Sequence, residues 1–407
     1  MVRIKPFKAW RPPADLVSRV ASLPYDVVDT HEARRLAEGN PSCFFHVSRA
    51  EIDLPDSTDV HSDMVYNKAA ESFRHLQTSG SLKQDAEPAL YIYRLIRNGQ
   101  AQHGLVTVCH TGDYEDDVIR KHEKTRKVPE DDRTRHIAAT NSHSGPVFLA
   151  YRDSAEVDRL VADTEKTSAL YDFTASDGVQ HTVWRVADPK AMVAAFQRIP
   201  LAYIADGHHR AAAAARVARE RRAAKAGATG DEEFNWFLAV LFPAGQLRIL
   251  PYNRCVKDLN GLTDEQFLAE VKKVFRVTES AEPSPTAPAN VGMYFKGRWY
   301  GLSWNADPKA DATARLDVSV LQDRLLAPVL GIDDPRKNPR VEFVGGIRGT
   351  GELEQRVKSG RAAVAFSMYP TTVDQLMAIS DAGQTMPPKS TWFEPKLRDG
   401  LLIHTLD

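Results

Sequence analysis

Residues 206–210, Asp-Gly-His-His-Arg, crowd an acid, a glycine, two imidazoles and a guanidinium into one turn. They follow the apolar run LAYIA and precede AAAAARVARERR, so the turn joins a buried strand to an alanine-packed helix. A junction of this kind gathers the unpaired amides of the first helical turn at the positive end of the helix dipole, where oxyanions bind. Gly207 permits a tight turn or a close approach of backbone to ligand, and Arg210 can fork two N–H bonds onto a phosphate. Asp206, Gly207, His208, His209 and Arg210 therefore form a candidate phosphate cradle. The two histidines are adjacent, about 100° apart on a helix, and cannot grip one metal as an i,i+4 pair would. A helix cap would account for Asp206; helix formation gives no reason for His-His-Arg.

Two further stretches carry residue types suited to phosphoryl chemistry. In KHEKTRKVPEDDR, residues 121–133, nine of thirteen positions carry formal charge with both signs interleaved. Such a pattern serves a solvated face laced with ion pairs. It also offers an imidazole or carboxylate, His122 or Glu123, to orient a hydroxyl, and Arg133 to meet developing charge, with Thr125 beside them and Asp132 as an anchor. Near the end of the chain, PPKSTWFEPKL places Lys389, Ser390, Thr391 and Lys396 among aromatic residues. Exposed aromatics gain nothing without burial, so this segment is expected to fold back onto the body. There Lys389 with the Ser390 and Thr391 hydroxyls would make a second phosphate clamp, or a docked tail whose lysines stay in solvent. SLPYDVV sets Tyr25 and Asp26 after a proline; Asp26 would bind a metal or an amino group, or simply form a turn.

Several familiar chemistries lack their residues. There is no glycine-rich Walker loop, GxGxxG turn, HExxH or GxSxG element. Cys43, Cys109 and Cys255 lie far apart without CxxC spacing, against a disulfide framework or thiolate zinc site. If a metal takes part, Mg²⁺ held by carboxylates and phosphates fits better than zinc. Lys plus Arg number 53 against 54 Asp plus Glu, so no net field draws the molecule to nucleic acid or an anionic membrane. The amino-terminal MVRIKPFKAWRPPADLV has no apolar signal-peptide core, and the expected compartment is the cytoplasm.

The elements that must position these residues alternate without a strict repeat. Helices are expected over Asp29–Asn40 and 62–78, a strand at CFFHVSR, and a hairpin about Asn98-Gly99. Strand HTVWRV, helix DPKAMVAAFQRI capped by Asp188, strand LAYIAD and the helix from 208 form an α/β run. Beyond NWFLAVLFP come a helix from Thr263, the paired runs VGMYFKG and RWYGLSW, and further alternating helices and strands. The expected class is α+β, or irregular mixed α/β, with mixed sheets and packed helices. Length favours two lobes: an N-terminal one, 1–180, carrying the HEKT and EDDR segments, and a C-terminal one, 181–407, carrying the DGHHR turn and the KST tail. The small polar stretches 224–233 and 280–290 are expected loops.

The DGHHR turn resembles the nucleotide-binding helix start of the ParB, sulfiredoxin and free-serine-kinase superfamily. The resemblance implies a ParB/sulfiredoxin-like unit whose residues 206–210 contact nucleotide phosphates. Over the whole chain, RIKPFKAWRP, SLPYDVV, KHEKT, PEDDR, LDVSVLQDRLLAPVLGI and MPPKSTWFEPKLRDGLL resemble domain of unknown function 1015, a bacterial and archaeal family with links to serine biosynthesis. Asn253, in PYNRCV, stands where relatives are expected to carry His. Together these imply phosphoryl transfer between a nucleotide, ATP or ADP with Mg²⁺, and a small hydroxyl metabolite in serine or phosphoserine metabolism. Hydrolysis of phosphoserine and nucleotide-responsive binding without chemistry are the alternatives. The expected partner is a small phosphorylated substrate, with neither nucleic acid nor membrane.

Overall fold

The computed structural model describes residues 1–407. The chain folds as two compact units, Met1–Leu247 with Pro395–Asp407, and Arg248–Glu394. Both combine helices with sheet, the mixed α/β architecture expected from the alternation of elements. No helix is long and apolar enough to cross a membrane.

The larger unit is built on nine strands: β1 (Ile4–Lys5), β2 (Tyr91–Arg97), β3 (Gln100–His110), β4 (Ile119–Arg120), β5 (Val147–Tyr151), β6 (Tyr171–Thr174), β7 (Gln180–Arg185), β8 (Ala202–Asp206) and β9 (Trp236–Pro243). They lie in the order β4-β8-β5-β9-β3-β2-β7-β6, with β1 paired to β3. The sheet is mixed: β8 runs parallel to β4 and β9 parallel to β5, and the other pairs are antiparallel. Asn98 and Gly99 both take positive φ, the turn the hairpin β2–β3 needs. Three longer helices are α1 (Asp63–Thr78), α2 (Lys127–Thr140) and α3 (His208–Ala224); α3 packs on the sheet, α2 on α3 and α1 on α2. Leu149, Ile204, Ala211, Ala214 and Phe237 join one buried cluster, so the alanines of α3 bring that helix close against the sheet.

In the smaller unit, β10 (Tyr252–Val256), β11 (Arg276–Glu279), β12 (Asn290–Phe295), β13 (Arg298–Ser303), β14 (Val341–Gly345) and β15 (Val364–Met368) form an antiparallel sheet ordered β11-β13-β12-β15-β10-β14. Thr263 closes a capping box on the helix α4 (Asp264–Val274). The helix α5 (Gly349–Lys358) packs its Leu353 with Cys255, Tyr294 and Ala365 of the sheet.

Two expectations change. The boundary at 180/181 divides no compact units, because β7 begins at Gln180 and pairs with β2 and β6 inside the nine-stranded sheet. The chain instead leaves the larger unit at 247 and rejoins it at 395, so the DGHHR turn and the KST segment fall in different units. CFFHVSR is no strand: Phe45–Ser48 is a short helix, with Cys43, Phe44, Phe45 and Val47 all buried. A short run buried all round carries no periodicity to separate strand from helix.

Candidate functional site

The strand β8 ends in a register shift between Ile204 and Asp206 and passes into α3 through Gly207, which has φ +96° and serves as the N-cap. The first intrahelical bond runs from the Ala211 amide to the Gly207 carbonyl at 3.0 Å. A Cβ on Gly207 would lie 3.0 Å from Arg210 Nε, so the guanidinium folds back over a turn that glycine suits on both grounds. Asp206 does not cap the helix. It accepts an ion pair from Lys396 Nζ at 2.9 Å and lies 3.9 Å from Arg210 Nη2. Burial would raise this carboxyl, but Lys396 and Arg210 overcome that and hold it well below the usual range.

Arg210 is buried, donates through Nη1 to the Pro146 carbonyl, and keeps Nε without a partner. It lines a cavity of about 30 Å³ with Tyr25, Arg133, His143 and Asp399, room for about two waters. Arg133, from α2, lies 3.8 Å from the centre of the Tyr25 ring and pairs with Asp132 at 2.6 Å. Asp399 is held by paired backbone bonds to Ser22, and its Oδ1 has no partner. Burial pushes its carboxyl up to about 7 although Arg210 and Arg133 pull the other way.

The two histidines of the turn brace the 121–126 loop. His208 Nε2 accepts from the His122 amide at 3.4 Å, and the two rings meet edge to face at 4.4 Å. His209 Nε2 accepts from the Arg126 amide at 3.1 Å. Burial lowers His122 to about 4 and His208 well below its ordinary value, so both are neutral at pH 7. Glu123 is half exposed, with Oε2 4.0 Å from His208 Nδ1. Of the two candidate bases, it is the one open to solvent.

Sequence-predicted residues are thus partly brought together: 206–210, His122, Glu123, Arg133 and Lys396 lie in the larger unit. Lys389, Ser390 and Thr391 belong to the smaller one. The Ser390 hydroxyl is committed to the Pro387 carbonyl at 2.7 Å, so Ser390 does not present a clamp. Thr391 is half-buried and Lys389 exposed. No three His, Cys, Asp or Glu side chains converge to hold a metal ion. Sequence reasoning missed Asp399 as a partner of this cluster, and left Asp26, whose charge acts on both Arg210 and Lys396, as a turn or a ligand. The signal was the last of three Asp-Gly pairs, Asp399-Gly400, set directly before the apolar run LLI.

A search of curated proteins finds no match. Among solved structures the chain is similar to a C-terminally truncated SbnI from Staphylococcus aureus, at 11% identity and TM-score 0.38, over 72% of this chain and 85% of that one. It is similar to free serine kinase in complex with AMP at 12% identity and TM-score 0.38, over 71% and 89%. A conserved hypothetical protein from Pyrococcus furiosus gives 13% and 0.36, over 70% and 90%. The family model described as protein of unknown function, DUF1015, matches residues 4–319, short of the KST segment. With most of its length matched, the chain belongs to the DUF1015 family.

Proposed function

We propose that the larger unit binds a nucleotide through its phosphates and transfers a phosphoryl group to a small hydroxyl metabolite, with serine the leading acceptor. The observation that carries the reading is the Arg210 guanidinium, buried over the Gly207 turn with Nε unpartnered and Lys396 meeting it at Asp206. An uncommitted buried donor of this kind is costly unless something accepts from it. Phosphate oxygens at the mouth of α3 would compete with Asp206 for both cations and meet the positive end of the helix dipole. A bound nucleotide would supply the transferable group. Glu123 would take the acceptor's proton and Arg133 would help offset charge on the oxygens in flight.

Incubating the full chain with ATP and serine tests the reading, with nucleotide and phosphoserine followed together. Phosphoserine should form only when both reactants are present. Phosphate release from phosphoserine without nucleotide would make the protein a hydrolase. Tight nucleotide binding without product would make it a binding protein that does no chemistry.

A further inference from the structure

The antiparallel sheet of the smaller unit carries a buried charge with no counter-charge. Arg254, on β10, is 4% exposed. Its Nη1 donates to the Tyr252 carbonyl and its Nη2 to the Lys389 carbonyl at 3.2 Å, two of the five N–H bonds a guanidinium offers. Burial lowers the group to about 10, and no carboxylate counters this. Two other arginines beside this sheet are paired: Arg356 with Glu342 at 2.7 Å and Glu352 at 2.6 Å, Arg361 with Glu342 at 3.2 Å.

The residues Arg254 touches, Tyr252, Phe343 and Lys389, bring two rings and one further cation. Its guanidinium lies 5.3 Å from the Phe343 ring centre. The exposed Lys389 ammonium lies 5.5 Å from that of Tyr252, and Trp392 meets Tyr252 edge-on at 5.4 Å. Gly345 makes room for that indole, since a Cβ there would sit 2.8 Å from Trp392. An unpaired charge in such surroundings costs the fold stability, and hydrophobic replacement of buried charges is often neutral or favourable. Groups that break a local rule in this way mark functional sites.

We infer that Arg254 and Lys389 form a binding site for the oxyanion of a small metabolite, a carboxylate or a phosphate, bounded by the rings of Tyr252, Phe343 and Trp392. The three remaining Arg254 N–H bonds would supply a planar fork, and the exposed Lys389 a second cation. This site is independent of the Arg210 cradle and stands or falls without it.

Thermal melts of the full chain in sodium phosphate, sodium acetate or sodium chloride at matched ionic strength test the inference. Phosphate, acetate or both should raise Tm above the chloride value by about 3 °C, and the two arms report which oxyanion is taken. The R254M chain should melt no lower than wild type in chloride and lose the anion response. The K389A chain, changed at an exposed position, should keep its stability and respond less. A response that survives R254M and vanishes in R210M belongs to the larger unit and overturns the inference, as does a wild type with no response. If R254M melts lower than wild type in chloride because the two carbonyls lose their donor, the anion response is read in K389A, and a K389A response equal to wild type would overturn the inference.

Discussion

The two units hold buried arginines in opposite ways. In the larger unit every cation of the cluster faces an acid: Lys396 and Arg210 share Asp206, Arg133 has Asp132, and Asp399 lies among them. In the smaller unit Arg254 rests on carbonyls and rings alone. A balanced cluster can persist in the absence of a ligand, which must then displace an internal acid. An unbalanced cation gains from the first anion that reaches it. The comparison separates a site that exchanges partners from one that lacks a partner.

The sharpest way to break the balance is D206N. It leaves Lys396 buried beside a neutral amide, and the chain should lose about 3 kcal/mol in chemical denaturation. The same change releases both cations from their internal acid, so ATP should bind more tightly by calorimetry. Lost stability with unchanged or weaker ATP binding would mean that Asp206 does not compete with phosphate.

G207A comes next. Alanine at φ +96° is strained, and its Cβ would press on Arg210 Nε. A cost of about 1–2 kcal/mol in the same assay follows from the backbone alone. A neutral outcome would show that the turn relaxes and that Arg210 is not fixed over it.

A third test is a slope with pH. Burial raises Asp399 from 3.8 to about 7, so the folded chain keeps a proton that the unfolded chain releases. The stability tied to that proton is present below pH 4 and lost as pH climbs towards 7. D399N, neutral throughout, should flatten the fall in Tm between pH 4 and 7 and melt above wild type at pH 8. Parallel profiles for the two chains would show that Asp399 is ionised in the fold.

Local signals carried much of this arrangement into the sequence. The Asp-Gly-His-His-Arg turn between an apolar run and an alanine helix, the Asn98-Gly99 hairpin and the helix starting at Thr263 each rest on residues adjacent in the chain, and each stands where expected. What escaped depends on distant partners. Asp206 looks like a cap until Lys396, 190 residues away, is seen to claim it. His208 and His209 look like phosphate ligands until the His122 and Arg126 amides are found on their ring nitrogens. A boundary at 180 looked natural because nothing local announces that the last thirteen residues, Pro395–Asp407, return to the first unit. Arg254 was invisible for the opposite reason, since a missing counter-charge leaves no mark in sequence.

The central claim is that Arg210 receives the oxygens of a phosphorylated ligand. Titration calorimetry of ATP into wild type and R210M tests it most directly. The account predicts binding to wild type and a loss of at least about tenfold in R210M, the worth of one charge-assisted hydrogen bond to a buried guanidinium. Equal affinity in the two chains, with both folded by circular dichroism, would contradict it.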